Sequence, residues 1–248
     1  MIVCFSGTGN SLAVANHIAQ LAGEKVYLLG EPLPLFRPLR SGENMIWVMP
    51  CHSWGMPKWV KRILRSLSIP GAEAANHHLV MTCGDDIGLA HLQWRKAMAR
   101  RGWKAIGTYS VTMPNTYVLL PGFDVDSPEV ANVKLEAMPQ RVARIWHGIK
   151  CGARVDDVVR GPAPWIKTAL VYPLFMLLLT SPKPFHPTDA CIRCAKCAKA
   201  CPLGNISMVQ RHPQWSKRCT LCLGCYHTCP VHAVAYGNIT ARKGQKQL

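Results

Sequence analysis

Acidic side chains are scarce in this 248-residue chain, which has 13 Asp and Glu against 29 Lys and Arg, and none follows Asp189. The formal charge of +16 is spread unevenly. Residues 1–150 carry 16 basic and 10 acidic side chains, residues 151–189 carry 4 and 3, and residues 190–248 carry 9 and 0. A surface of that sign steers acidic partners toward it. The basic residues are scattered rather than set in a stripe interleaved with aromatics, so nucleic acid is not an expected partner. Also missing is an apolar run of about 20 residues, the length that spans a bilayer. The run from Ala169 to Leu179 has eleven residues, is broken by Pro173 and lacks a strongly basic polar face. No transmembrane segment is expected, and peripheral membrane contact stays open. Neither a signal peptide nor a low-complexity tract is recognised, which points to a cytoplasmic location. With 49% hydrophobic and 17% charged residues the composition is that of an ordered globular protein, and the length implies two domains.

Cysteine, by contrast, is plentiful, and eight of the 12 stand in two copies of one pattern. Cys191, Cys194, Cys197 and Cys201 precede Pro202; Cys219, Cys222, Cys225 and Cys229 precede Pro230. The spacing C-x2-C-x2-C-x3-C-P lets three thiolates on one tight loop reach three corners of a 4Fe-4S cube, while the fourth is thrown outward ahead of the proline. Tetrahedral zinc is the first alternative. A zinc ribbon, however, takes two C-x2-C pairs per ion, not three evenly spaced cysteines with a fourth at x3. A disulfide framework is the second, and clustered cysteines in a cytosolic chain favour metal over cross-links. Ile206 and Val234 each lie five residues past the last cysteine of their block, equivalent apolar positions for a small core between two cubes.

From about Pro187 to Ala235 the chain resembles the bacterial two-cluster ferredoxins, at every cysteine and both prolines. The resemblance implies two 4Fe-4S clusters with crossed ligation. Cys191, Cys194, Cys197 and Cys229 would hold one, and Cys219, Cys222, Cys225 and Cys201 the other. Familiar members of that family are mostly acidic, and this chain departs from them in charge.

The amino-terminal segment reads as a buried strand, Ile2 to Phe5, then the loop Ser6-Gly7-Thr8-Gly9-Asn10-Ser11, then a helix with Val14, Ile18 and Leu21 on one face. Strand, glycine loop and helix make a phosphate cradle. The glycines permit close approach, the hydroxyls of Ser6, Thr8 and Ser11 can donate, and the first helical amides point at an anion. The loop lacks the lysine of the nucleotide triphosphatase motif and the third glycine of the dinucleotide fingerprint. A plain helix cap is the alternative. The loop is similar to the one with which flavodoxins wrap the phosphate of FMN.

That likeness can be tested against five parallel strands with helices on both faces. Lys25–Leu29, Met45–Met49, His78–Thr82 and Ala105–Val111 fit the second to fifth strands. Helices are expected around Val60–Leu67, from about Leu89 to Arg101, and over residues 128–149, the last with Val130, Val133, Leu135, Met138, Val142 and Ile145 largely on one side. The resemblance brings the loops after the third and fourth strands to the flavin ring. Ser53 and Trp54 are candidates there, with Trp54 against the ring face or, alternatively, a hydrophobic plug. Gly55 supplies a flexible peptide near flavin N5 or is a turn glycine. Cys83, Gly84 and Asp85 present backbone groups to the pyrimidine edge, and Asp86 reads as a helix cap. No aromatic follows the fourth strand, so the outer ring face has no candidate. Cys51 and Cys83 lie at corresponding strand ends, as redox groups or small core residues, and His52 is a proton donor or a surface residue. Met113–Tyr117 resembles a segment of longer fusions that folds over the flavin edge.

The whole chain thus resembles prokaryotic fusions of a flavodoxin-like domain, residues 1–150, to a small α+β two-cluster ferredoxin domain, residues 187–248. A proline-rich connector, 151–186, would place a helix between them in a fixed interface. The resemblance implies FMN and electron transfer linking one-electron and two-electron steps, and the basic charge, not the resemblance, points to redox proteins of acidic docking surface as partners. An FMN-dependent reductase of a small molecule and a non-redox metal-binding adaptor are the alternatives. No nicotinamide fingerprint is visible.

Overall fold

The computed structural model describes residues 1–246. Strands β1 (Ile2–Cys4), β2 (Val26–Leu28), β3 (Asn44–Pro50), β4 (Asn76–Cys83) and β5 (Lys104–Thr112) form a parallel sheet in the order β2-β1-β3-β4-β5. This is the flavodoxin order, and its switch point falls between β1 and β3. β1 and the centre of β3 read as apolar runs because both sheet faces are covered. Within β3 the alternation decides the partner. Met45, Trp47 and Met49 face a core with Phe5, Trp59, Leu64, Trp94 and Met98, while Ile46 and Val48 join Ile2, Val14, Ile18, Val142 and Ile145. The first core is roofed by α2 (Lys58–Ile63) and α3 (Ala90–Arg100), the second by α1 (Asn10–Ala22) and α4 (Pro128–Lys150).

Two features differ from expectation. A sixth strand, β6 (Asp156–Asp157), pairs in parallel with β5, so the sheet has six strands and runs into the segment taken as connector. Its side chains are ionic: Asp156 accepts from Arg95 and from Thr108 Oγ1, and Asp157 from Arg141. A strand of two aspartates has no apolar pattern to reveal it. The second is α4, begun by Ser127, which accepts from the Val130 amide, with Pro128 at its first position. Only its later turns are buried, at Val142, Ile145 and Ile149, while Val130, Val133 and Leu135 stay exposed because the helix outruns the sheet.

The connector then forms one helical stretch: α5 (Pro164–Ile166), a π-helical turn at Lys167–Val171, and α6 (Tyr172–Leu178). It is half-sunk rather than sandwiched. Tyr172 and Phe175 are buried, whereas Leu170, Leu174, Leu177 and Leu178 are exposed. Its anchors go mainly to the first domain. Thr168 Oγ1 donates to the Trp54 carbonyl at 2.9 Å, Tyr172 OH to the Met56 carbonyl at 2.8 Å, and Lys167 pairs with Asp86 at 2.6 Å. No helix among the described residues is long and apolar enough to cross a membrane.

The second domain pairs β7 (Phe185–Pro187) with β10 (Val234–Tyr236) and β8 (Ile206–Val209) with β9 (His212–Trp215), both antiparallel, around the short helices α7 (Lys196–Lys199) and α8 (Gly224–His227). Ile206 and Val234 lie together in its core. That core also takes Val118 and Leu119 from the segment after β5, and Leu203 in turn is buried in the first domain's core. Beside it the Glu31 amide donates to the Pro202 carbonyl at 2.9 Å, and the Glu31 carboxylate pairs with Arg218.

Candidate redox site

Beyond the carboxyl ends of β1, β3 and β4 lies a cavity of about 380 Å³, within the range of cofactor sites. Ser6, Gly7, Thr8, Asn10 and Ser11 line one end. α1 starts at Gly9, whose φ of +90° is a left-handed conformation and which has no side chain to occupy the helix terminus. The first turn carries no acidic residue, so the partial positive end of the helix is left for an anion. Gly9 shapes the loop but does not line the cavity. The hydroxyls are more engaged than the sequence suggests. Ser6 Oγ accepts from the Leu12 amide at 3.3 Å, Ser11 Oγ shares a 2.7 Å bond with Thr82 Oγ1, and Thr8 Oγ1 meets Thr116 Oγ1 at 3.4 Å. Asn10 Nδ2 donates to the Pro114 carbonyl at 2.8 Å. The loop is thus pinned by its side chains, which leaves backbone amides as its principal free donors.

Ser53, Trp54, Cys83, Gly84 and Asp85 also line the cavity. His52 and Gly55 exchange two 3.0 Å backbone bonds around Ser53 and Trp54, whose φ values of +46° and +61° are left-handed without the relief of glycine. Such a turn costs on the order of 1–3 kcal/mol per strained residue and persists only where its surroundings hold it. Here Thr168 and Tyr172 do so, and Lys167 Nζ lies 5.2 Å from the Trp54 ring centroid. Gly55 points elsewhere: a Cβ on it would stand 2.2 Å from the Tyr172 ring. Its requirement for glycine is close packing of the connector helix, and it does not line the cavity. Asp86 accepts from the Gly88 amide at 3.0 Å, capping the turn before α3 rather than the helix itself, and pairs with Lys167.

The remaining titratable groups are held neutral. Burial pushes the Cys83 thiol up to about 12, with Asp86 and Asp85 adding to it, and burial with the Cys83 neighbour raises Cys51. Neither is a reactive thiolate at neutral pH. Burial lowers His52 to about 4, so its imidazole is uncharged. Tyr117, Phe123 and Leu120 line the cavity from the segment after β5, and Phe175 from the connector. Tyr117 and Phe123 form an edge-to-face pair at 5.7 Å. These aromatics supply the apolar wall for which the loop after β4 has no residue. The Met113–Tyr117 segment contains the signal, but only the fold shows which way it turns.

Against the glycine loop, and lining the same cavity, stand Thr220, Leu221, Cys222 and Leu223. A Cβ on Gly7 would come within 2.5 Å of Cys222 Cβ, and one on Gly224 within 2.6 Å of the Gly7 carbonyl, so glycine is required on both sides. Behind them the eight cysteines surround two small spaces. Cys191, Cys194, Cys197 and Cys229 line one; Cys201, Cys219, Cys222 and Cys225 line the other. Val234 lies against the first and Ile206 against the second. Among the described residues no three His, Cys, Asp or Glu side chains converge as the ligands of a single ion would. Thr220, Cys222 and Leu223 border both the second space and the large cavity. Thr220 Oγ1 is buried there without a hydrogen-bond partner among the described residues.

Residues 182–234 match the family model of the 4Fe-4S dicluster domain. This part of the chain is an iron-sulfur domain. It follows a domain with the flavodoxin strand order. Among solved structures, the Trp repressor binding protein from Bacillus subtilis is similar at 14% identity and a TM-score of 0.38, covering 58% of this chain and 97% of its own. A flavodoxin from Streptococcus pneumonia TIGR4 is similar at 14% identity and a TM-score of 0.31, with the same coverages. No curated protein matches.

Proposed function

We propose that the large cavity holds FMN, that the two cysteine-lined spaces each hold a 4Fe-4S cluster, and that the protein transfers electrons between them. One observation carries this reading: the glycine loop and the Cys219–Cys225 loop, in contact at Gly7 and Cys222, line one and the same cavity. Electron tunnelling falls steeply with distance, so a cluster ligand at the cavity wall favours exchange with a ring bound there. When bound, FMN supplies electron exchange singly or in pairs, and each cubane exchange of one. The chain's own residues bind, orient and exclude water. The amides of residues 7–11 receive a phosphate. Trp54, Tyr117 and Phe175 enclose an apolar ring, and Gly7 with Gly224 brings the two modules into contact.

The basic surface of residues 190–248 suits redox proteins with an acidic docking face. Protein purified without oxygen should contain about eight irons, matching sulfide and one extractable FMN per chain. Zinc without sulfide, or protein that neither retains nor rebinds flavin, would reject the reading. The apolar mouth, lined by Leu174, Leu178 and Leu179, supports a second reading in which a small apolar molecule is reduced at the cavity. Turnover with such acceptors and no partner protein would select it.

A further inference from the structure

Lys246 belongs to the iron-sulfur half of the chain, yet its ammonium sits on the glycine loop of the other half. Lys246 Nζ donates to the Thr8 carbonyl at 3.1 Å and to Asn10 Oδ1 at 2.7 Å, and a Cβ on Gly9 would lie 3.8 Å from it. The segment that delivers it is tied at each residue. The Gly244 amide donates to Asp124 Oδ1 at 2.9 Å, Gln245 Nε2 to the Cys229 carbonyl at 3.1 Å, and the Lys246 amide to His227 Nδ1 at 3.0 Å. That last bond sets the tautomer of His227: with Nδ1 accepting, Nε2 carries the proton and donates to the Thr116 carbonyl at 2.8 Å. The ammonium is thus fixed through α8, the short helix that carries Cys225.

A phosphate dianion held by the loop amides and the helix end is favoured further by opposing charge. Among the described residues no lysine or arginine, Lys246 included, lines the cavity itself, and Asp85 adds negative charge at its edge, while Asp86 is paired with Lys167. Among the described residues Lys246 spends two of its three ammonium donors on the Thr8 carbonyl and Asn10 Oδ1, so its charge faces a phosphate in the loop across that backbone. Burial lowers its pKa from the ordinary lysine value, the direction expected of a cation held without a full counter-charge.

We propose that Lys246 is the cation of the phosphate site, lent to the flavodoxin-like domain by the iron-sulfur domain, so that retention of the phosphorylated flavin depends on the two domains being docked. This rests on the FMN reading above. The test uses the full chain, freed of flavin and titrated under anaerobic conditions with FMN and with riboflavin, which has the ring but no phosphate. Lys246→Met should weaken FMN binding roughly tenfold, the scale of one partly buried charge acting across a few ångströms, and leave riboflavin within about twofold. Lys246→Arg should restore most of the loss.

For the unaltered chain, added salt should weaken FMN binding more than riboflavin binding, a readout that does not depend on how the variants fold. Equal losses for both flavins would mean that Lys246 only shapes the loop, and would overturn the proposal. So would FMN affinity indifferent to both Lys246→Met and salt. An unaltered chain that binds neither flavin would instead reject the FMN reading, and this inference with it.

Discussion

The Cys191–Cys201 and Cys219–Cys229 loops have the same cysteine and proline spacing and the same backbone. Arg193 and Ala195 in one, and Leu221 and Leu223 in the other, take left-handed φ values between +53° and +63° at matching positions. Their surroundings diverge. Ile192 and Cys194 are exposed in the first, whereas Leu221 and Leu223 are 6% and 3% exposed in the second. Where the first loop has Lys196 the second has Gly224, pressed on the Gly7 carbonyl. Donors to sulfur differ as well. On the outer space Cys229 accepts from the Ala233 amide, while on the inner one Cys201, Cys219 and Cys225 accept from the Asn205 amide, the Leu221 amide and Trp215 Nε1. An internal repeat has been divided into a solvent-facing loop with charge on it and a docked loop without. The outer one is suited to meet a partner and the inner one to meet the cavity.

Removing one ligand from each loop should break this comparison most severely. Cys222→Ser and Cys194→Ser should each lower the iron content by up to about half, but only Cys222→Ser should also disturb the flavin absorption band, because only Cys222 borders the cavity. Equal disturbance by both would sink the inner and outer distinction.

Gly224→Ala should destabilise by about 1–3 kcal/mol through overpacking on Gly7, whereas Lys196→Ala at the matching outer position should stay within about 0.5 kcal/mol. Paired melting curves decide it. Trp215→Phe removes one donor to Cys225 and should lower the inner potential by on the order of 40 mV, about 1 kcal/mol for one electron, with the outer potential unmoved in an EPR redox titration.

The smallest effect is expected from Arg193→Glu. It should slow reduction by an acidic protein donor a few-fold at low salt and converge with the unaltered chain at high salt, with potentials nearly unchanged. A rate that ignores both charge and salt would place the docking face elsewhere.

Part of this division is readable before folding. The inner loop Thr220-Leu221-Cys222-Leu223-Gly224 carries no charge, while Ile192-Arg193-Cys194-Ala195-Lys196 carries two, and charged side chains are rarely buried unpaired. The parallel strands are readable as well, since covered strands form apolar runs. The sixth strand is not, because two aspartates become a strand only when Arg95 and Arg141 are brought to them. Nor is the role of Gly55, whose constraint comes from Tyr172, 117 residues further on. The apolar connector is legible as a helix, but not as one that leaves all five of its leucines exposed.

The sequence by itself determined the features that short stretches of chain can dictate: the cysteine spacing, the glycine turn ahead of α1, the order of strands and helices. These depend on bond geometry and on side-chain periodicity over a few residues. Only the tertiary structure decided which cysteine loop stands against the glycine loop, which aromatics wall the cavity, and that a lysine near residue 246 rests on a loop near residue 8. Those are contacts between surfaces distant along the chain, settled by which packing buries apolar area without stranding charge or overlapping a Cβ. Local spacing carries no information about that choice.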